Sequence, residues 1–410
     1  MTILFLSQIV PYPPHGGVLQ RGYNLLRELG RTARIHLLAF VHPDVLPTHE
    51  AREESRQRLQ EFCATVEYFE LWPKTSRVNH AAALGAALCS SEPFSVVAHR
   101  SAAFRQAVAA HVQSSGVDVI HVDTIALAPF VPVHCAQPTL LTHHNIESKL
   151  MARRASVEPR SAAKWFLKRE AAKLRAYEAA VSPTFDVNVV MSTQDEAALL
   201  AMAPGSRTAV VPNGVDIEYF TADRSHETPA LIYTGGMNMF ANRDAVMFFL
   251  KEIWPLITRD QPDVRFYAVG QDPPRELQAL AAADSRITVT GFVDDIRPFV
   301  RKAAVYVVPL RVGGGTRLKV LDAMASGKAM VSTSIGCEGI DVRDGEHLVV
   351  ADAPDAFARA TRELLQSPQR RADLGDAARR FVVGRYSWRT IAGQLVEAYS
   401  STLAARKVPA

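Results

Sequence analysis

Short apolar runs alternate with helix-period segments from one end of the chain to the other. "TILFLSQI", "RIHLLAFV", "VDVIHV", "PTLLTHH", "VNVVMS" and "TAVVPNG" read as buried strands. Between them, "VLQRGYNLLRELG" and "RSAAFRQAVAAHVQSSG" space their apolar residues at the period of a helix with one buried face. The alternation resumes with "ALIYTGG", "VRFYAVG", "ITVTGFV", "VYVVPL" and "AMVSTS". Strand, helix, strand order throughout predicts parallel sheets with helices on both faces. The expected fold class is α/β, with two doubly wound Rossmann-like domains that bind ligands at the carboxyl ends of their strands.

The change of domain is expected within "VVPNGVDIEYFTADRSHETPALIYTGG", where a strand ends, a polar stretch with Pro229 follows, and a new strand opens near Ala230. This places an N-terminal domain over 1–220 and a second over 221–385. The final 386–410 has helical spacing in Ile391, Leu395, Ala398 and Tyr399. A length of 410 residues agrees with two domains.

Composition narrows the partners. A formal net charge of +4 does not mark a dedicated nucleic-acid binder. The four cysteines, Cys63, Cys89, Cys135 and Cys337, form no CxxC pair, which fits a reducing, cytoplasmic setting and no zinc site. The N-terminus "MTILFLSQIVPYPPHGG" reads as a first strand and not as a leader, and no run reaches membrane-spanning length. One segment departs from the average. Arg153, Arg154, Arg160, Lys164, Lys168, Arg169, Lys173 and Arg175 crowd a short stretch interleaved with Trp165, Phe166 and Leu174. Such a helix suits either an anionic membrane surface or ordinary solvent.

The chemistry concentrates in "PLRVGGGTRLKVLDAMASGKAMV". Gly313, Gly314 and Gly315 allow close backbone approach, and Thr316 is placed to cap the helix that follows. Arg317 and Lys319 add full charge at the helix's positive end, which makes an anion site. The order of a P-loop is missing. Asp322 lies one turn beyond Lys319 and suits a ribose diol, so the combination points to a nucleotide. Other strand ends contribute matching pieces. Gly235 and Gly236 precede Asn242 and Arg243; Phe292 and Val293 offer a wall for a base; Gly336 and Glu338 follow another strand. In the first half, Gly16 and Gly17 open a helix, and "LLTHHNIES" ends a strand with His143, His144, Asn145 and Glu147. Adjacent histidines on a strand point to opposite sides, which argues against a shared metal. His144 is read as facing substrate or as packed.

With "PPHGG" early, "VVPNGVD" at the boundary and "GGGTRLKVLDAMASGKAMVSTSIGCEGIDVRDGEHLVVAD" late, the chain resembles the family 4 glycosyltransferases of the GT-B fold. "THHNIES" and the basic helix after it are similar to bacterial exopolysaccharide sugar transferases of that group. The resemblance implies two domains facing across a cleft, with the C-terminal helix crossing back to the first. It implies a hexosyltransferase-type, retaining, metal-independent transfer from a nucleotide-diphosphate sugar, without a cofactor, to a glycan or lipid-linked acceptor. Contact with the inner membrane surface is a further expectation. By motif, Asp322 takes the place of a glutamate that binds the donor ribose. Glu338 lies near the donor loop, Gly16 and Gly17 match glycines beside the donor phosphates, and His144 matches a histidine on the transferring sugar. Two positions depart from the pattern. Gly314 stands where a first glutamate is expected, and only Arg243 remains where an Arg and Lys pair is usual, which leaves Arg317 and Lys319 as the replacing cations. A nucleotide-sugar epimerase of the same architecture and a non-catalytic nucleotide-sugar-binding scaffold are the alternative readings.

Overall fold

The computed structural model describes residues 1–410 except 15, 115, 133, 134, 314–316 and 408–410. The chain divides into two compact units, one of 1–212 with 391–410 and one of 213–390.

The first unit is built on seven parallel strands: β1 (Thr2–Ser7), β2 (Arg34–Val41), β3 (Thr65–Glu70), β4 (Val119–Val122), β5 (Thr139–His143), β6 (Val187–Val190) and β7 (Thr208–Val210). Their spatial order is β3-β2-β1-β4-β5-β6-β7. The chain winds outward one way from β1 through β3, then returns and winds the other way from β4. The reversal therefore falls between β1 and β4, where diverging connections leave a crevice at the strands' carboxyl ends. Strands covered on both faces are buried at every position, as β4 and β5 are, and their polar residues His121, Thr139, Thr142 and His143 are buried with the rest. The core beneath them joins Phe40, Phe104 and Phe130, with the Phe40 and Phe104 rings stacked at 4.6 Å. The unit also includes most of the last helix, Trp388–Lys407, whose Ile391, Leu395, Ala398 and Tyr399 are all buried at the expected spacing.

The second unit repeats the plan with β8 (Thr228–Thr234), β9 (Arg265–Val269), β10 (Ile287–Val289), β11 (Ala303–Val308), β12 (Ala329–Ser332) and β13 (Val349–Val350), in the order β10-β9-β8-β11-β12-β13. Its reversal lies between β8 and β11. Phe249, Trp254, Phe266 and Phe357 form an aromatic cluster under the sheet, with ring centroids 4.7–6.3 Å apart.

Two strands escape the hydrophobic pattern. β3 reads "TVEYFE", and its outer position in the sheet leaves polar residues tolerable on one face. β13 has two residues, too few to carry a period. The basic segment, expected as one helix, is split: Arg153 and Arg154 end the helix Glu147–Val157, Arg160 is the N-cap of the helix Ser161–Val181, and that second helix carries the remaining cations, which are not uniformly free for a membrane. Arg169 and Lys173 donate to the carbonyls of Leu88 and Ala87 (both 2.6 Å), which end the helix Arg77–Cys89. Glu170 accepts from the Phe94 amide at 2.7 Å, which begins the next helix.

Candidate functional site

At the carboxyl edge of the second sheet, the helix Leu318–Ala325 starts beside the β8/β11 reversal. Its N-cap residue is Arg317, whose side chain does not cap. The expectation that Thr316 caps, and those placed on Gly314 and Gly315, lie outside the described residues. Arg317 is buried, donates through Nη2 to the Ile335 carbonyl at 3.3 Å, and approaches Glu338 at 3.7 Å. A Cβ on Gly313 would stand 2.7 Å from that guanidinium nitrogen, so the glycine leaves Arg317 its place.

Lys319 is held from three sides. Its ammonium donates to the Tyr233 hydroxyl at 2.7 Å and to Asn242 Oδ1 at 2.6 Å, and it lies 4.1 Å from the centre of the Tyr233 ring. Tyr233 also donates to Asn242 Oδ1, at 2.8 Å. Asn242 is itself fixed, because its amide donates to the Gly236 carbonyl at 2.8 Å. Asn242 and Gly236 thus act here on the lysine, as its holders. Gly235 has φ of +148°, and a Cβ there would meet Lys319 Nζ at 2.6 Å. The close turn after β8 is what lets the ammonium reach the sheet edge.

Asp322 follows on the same helix, half-buried. Desolvation pushes its carboxyl up, while the attraction of Lys319 opposes that; desolvation pulls Lys319 down, helped by Arg317 and opposed by Asp322. Each group therefore prefers to be charged only in company, and an incoming anion beside Arg317 and Lys319 favours the charged lysine. Arg243 is half-buried in the helix Phe240–Phe248. Phe292 and Val293 sit past β10, the outer strand, two strands from β8, with Phe292 55% exposed.

In the first unit, Gly16 and Gly17 follow β1, with Gly16 as the N-cap of the helix Gly17–Leu29. The two histidines at the end of β5, His143 within it and His144 just beyond, separate as alternation requires. His143 bonds Asn188 Oδ1 at 2.9 Å and is packed. His144 turns to Asp123, the residue after β4, at 3.2 Å between Nε2 and Oδ1. Asn145 and Glu147 lead into the helix Glu147–Val157, both half-buried. Burial pushes Glu147 up to about 7; the nearby Glu178 adds to this and His144 opposes it. Glu178 is fully buried and accepts from the Ser148 amide and hydroxyl, so it caps that helix from its neighbour.

Sequence reasoning missed Asp123, Arg21 and Tyr233. Asp123 ends "VIHVD" at a strand terminus, which is a legible signal; Tyr233 lies inside a strand and carries none. Among the described residues, no group of three or more His, Cys, Asp or Glu is placed to hold a metal ion, and no helix is long and apolar enough to cross a membrane.

With this geometry established, known proteins offer a comparison. The solved sucrose-phosphate synthase of Thermosynechococcus elongatus matches over 99% of this chain and 100% of its own, with TM-score 0.71 and 18% identity. HepE of Anabaena, solved with UDP, matches over 98% and 100%, with TM-score 0.65 and 16% identity. Both share the fold. A phosphatidyl-myo-inositol mannosyltransferase of Mycobacterium tuberculosis is 30% identical over 212 residues, 48% of this chain and 55% of its own. A D-inositol 3-phosphate glycosyltransferase of Geodermatophilus obscurus is 30% identical over 243 residues, 52% of each chain. The chain thus spans about half the length of the curated relatives it matches. Residues 228–367 match the model described as "Glycosyl transferases group 1". Residues 15–219, half of the chain, match "Glycosyltransferase Family 4", and with the doubly wound sheets described above this chain belongs to that family.

Proposed function

We propose that the protein is a retaining, metal-independent glycosyltransferase that moves a sugar from a nucleotide-diphosphate sugar to a glycan or lipid-linked acceptor. The observation that carries this reading is the gathering of Arg317, Lys319 and Asp322 at the β8/β11 reversal. Departure of a nucleoside diphosphate builds negative charge on its outer phosphate. Two fixed cations and the start of a helix are the groups that stabilise such charge without a metal, and they need little reorganisation when it appears. The paired cations, the nearby carboxyl for a ribose and the family membership all favour a sugar nucleotide. HepE was solved with UDP and with UDP-glucose, which supports a nucleotide-sugar donor for this chain. The mannosyltransferase relative acts, by its name, on a phosphatidyl-inositol, which supports a lipid-linked acceptor.

The same reading places the work on exopolysaccharide or cell-surface polysaccharide, at the cytoplasmic face of the inner membrane. Two exposed apolar side chains support the membrane contact: Trp165 on the basic helix, 57% exposed, and Val78 on the helix it caps, 77% exposed. Lys164 and Lys168 are the nearby cations for anionic headgroups. Flotation with anionic vesicles at low salt tests this, and absence of binding overturns it.

The decisive experiment for the activity incubates the full chain with a panel of nucleotide-diphosphate sugars and polyprenyl-linked acceptors, with and without EDTA. The expected result is acceptor-dependent nucleotide release that EDTA leaves unchanged, with the anomeric configuration of the donor kept in the product. Sugar interconversion without an acceptor, or loss of turnover with EDTA, overturns the reading.

A further inference from the structure

We propose that Asp123 is a positioning residue for His144: it keeps the ring hydrogen on Nε2 and so presents Nδ1 as a hydrogen-bond acceptor for a substrate hydroxyl. The proposal rests on the transferase reading and adds to it the chemical form in which His144 works.

β1 and β4 flank the reversal in the first sheet, and Asp123 is the first residue beyond β4. His144 is the first residue beyond β5, the neighbouring strand. Both therefore stand at the crevice edge that this topology opens to ligands.

Asp123 is 1% exposed, and among the described residues neither of its carboxylate oxygens has a hydrogen-bond partner. A buried carboxylate without donors is unfavourable, so it needs both a compensating charge and a donor. Arg21, also buried, supplies charge: burial pulls its guanidinium down to about 10, and the attraction of Asp123 opposes that shift. Its two terminal nitrogens donate to the carbonyls of Pro212 and Val211, at 2.7 and 3.0 Å.

His121 lies close to Asp123, but its Nε2 is bonded to Thr142 Oγ1 at 3.0 Å and its Nδ1 to the Tyr399 hydroxyl at 2.8 Å. That leaves His144, whose Nε2 already lies 3.2 Å from Asp123 Oδ1. The nitrogen is close but poorly aligned, since it too lacks a formal hydrogen bond among the described residues.

The consequence follows from imidazole chemistry. A neutral ring carries one hydrogen, and the nitrogen facing a carboxylate keeps it. Nδ1 then has a free lone pair. A sugar or acceptor hydroxyl is a donor that matches it, whereas a phosphate oxygen is not. His144 is thereby set apart in role from Arg317 and Lys319.

The test uses the full chain with 15N-labelled histidine and long-range proton–nitrogen correlation at pH 8, with His144→Gln identifying the resonance. The wild type should show His144 with a protonated Nε2 and a bare Nδ1. A hydrogen on Nδ1, or on both nitrogens, overturns the proposal, and this readout needs no variant to fold. In Asp123→Ala the two nitrogen shifts should converge, and kcat should fall about 100-fold with donor and acceptor KM little changed. Asp123→Asn, which keeps one acceptor oxygen, should recover part of that loss. Unchanged shifts or unchanged kcat in Asp123→Ala overturn the proposal. In His144→Gln, the KM that rises, of donor or of acceptor, identifies which substrate owns the hydroxyl. If the wild type turns over no nucleotide sugar, the transferase reading fails, and the spectrum still decides the role of Asp123.

Discussion

The two sheets reverse direction in the same way, yet their crossover edges carry different chemistry. At β8/β11 two cations, Arg317 and Lys319, stand with the carboxyls of Asp322 and Glu338, and donate to a tyrosine hydroxyl, an asparagine and a main-chain carbonyl. Near β1/β4 and β5 the titratable groups are mainly carboxyls, Asp123, Glu147 and Glu178, with Arg21 and His144 set among them. A doubly wound sheet supplies only the crevice and the outward-facing strand ends. The side chains just past those ends decide whether it receives an anion or a hydroxyl-rich group. The comparison also separates two lysines that lie nine residues apart. Lys319 reaches the carboxyl edge, while Lys328 is 1% exposed, pairs with Glu227 at 2.9 Å, and donates to the Ala303 carbonyl at the opposite end of β11.

Four substitutions break or sharpen this contrast. Arg317→Ala removes a buried cation from the anion edge, and kcat for sugar transfer should drop by at least about 100-fold, about 3 kcal/mol of barrier. A change in steady-state kcat under tenfold would remove Arg317 from the anion-stabilising set. Lys328→Met breaks a buried pair far from that edge, so it should cost about 3 kcal/mol of stability in a denaturant titration and leave nucleoside-diphosphate affinity as it was. Gly235→Ala strains a φ of +148° and crowds Lys319, so calorimetric nucleotide affinity should weaken by about 1–3 kcal/mol.

The smallest effect concerns Glu147. Its folded carboxyl is raised from 4.5 to about 7, so the folded state holds a proton more tightly than the unfolded state. The stability this contributes is present below the unfolded value and is lost as pH rises through about 7. Glu147→Gln cannot ionise. Its stability relative to the wild type should therefore rise between pH 5 and 8 by about 1–2 kcal/mol. A difference that stays flat across that window, followed by thermal unfolding, would contradict a buried carboxyl there.

Much of this was legible in the residue pattern. The apolar runs marked both sheets except β3 and β13, and the spacing of Ile391, Leu395, Ala398 and Tyr399 marked the buried face of the last helix. Arg317, Lys319 and Asp322 were legible because they share one helix start with glycines before it, so local spacing alone brings them together. The partners of those residues were not. Tyr233 and Asn242 lie more than seventy residues from Lys319 in the chain, and only the pairing of β8 with β11 sets them beside it. The packing partners of the basic helix were hidden for the same reason. Its sequence shows charges, and only packing shows that Arg169 and Lys173 serve the end of another helix.

The sequence by itself determined what short-range periodicity can specify: strands buried on both faces, helices with one buried face, the α/β class, and an anion-ready helix start after β11. Each depends on residues within a few positions of one another, where backbone geometry fixes the spacing. Only the tertiary structure decided how Lys319 is held, that Lys328 faces the far end of the sheet, and that Asp123 meets His144. Those relations depend on strand order and on burial that the fold creates, and a carboxylate or an ammonium takes its chemistry from the groups around it.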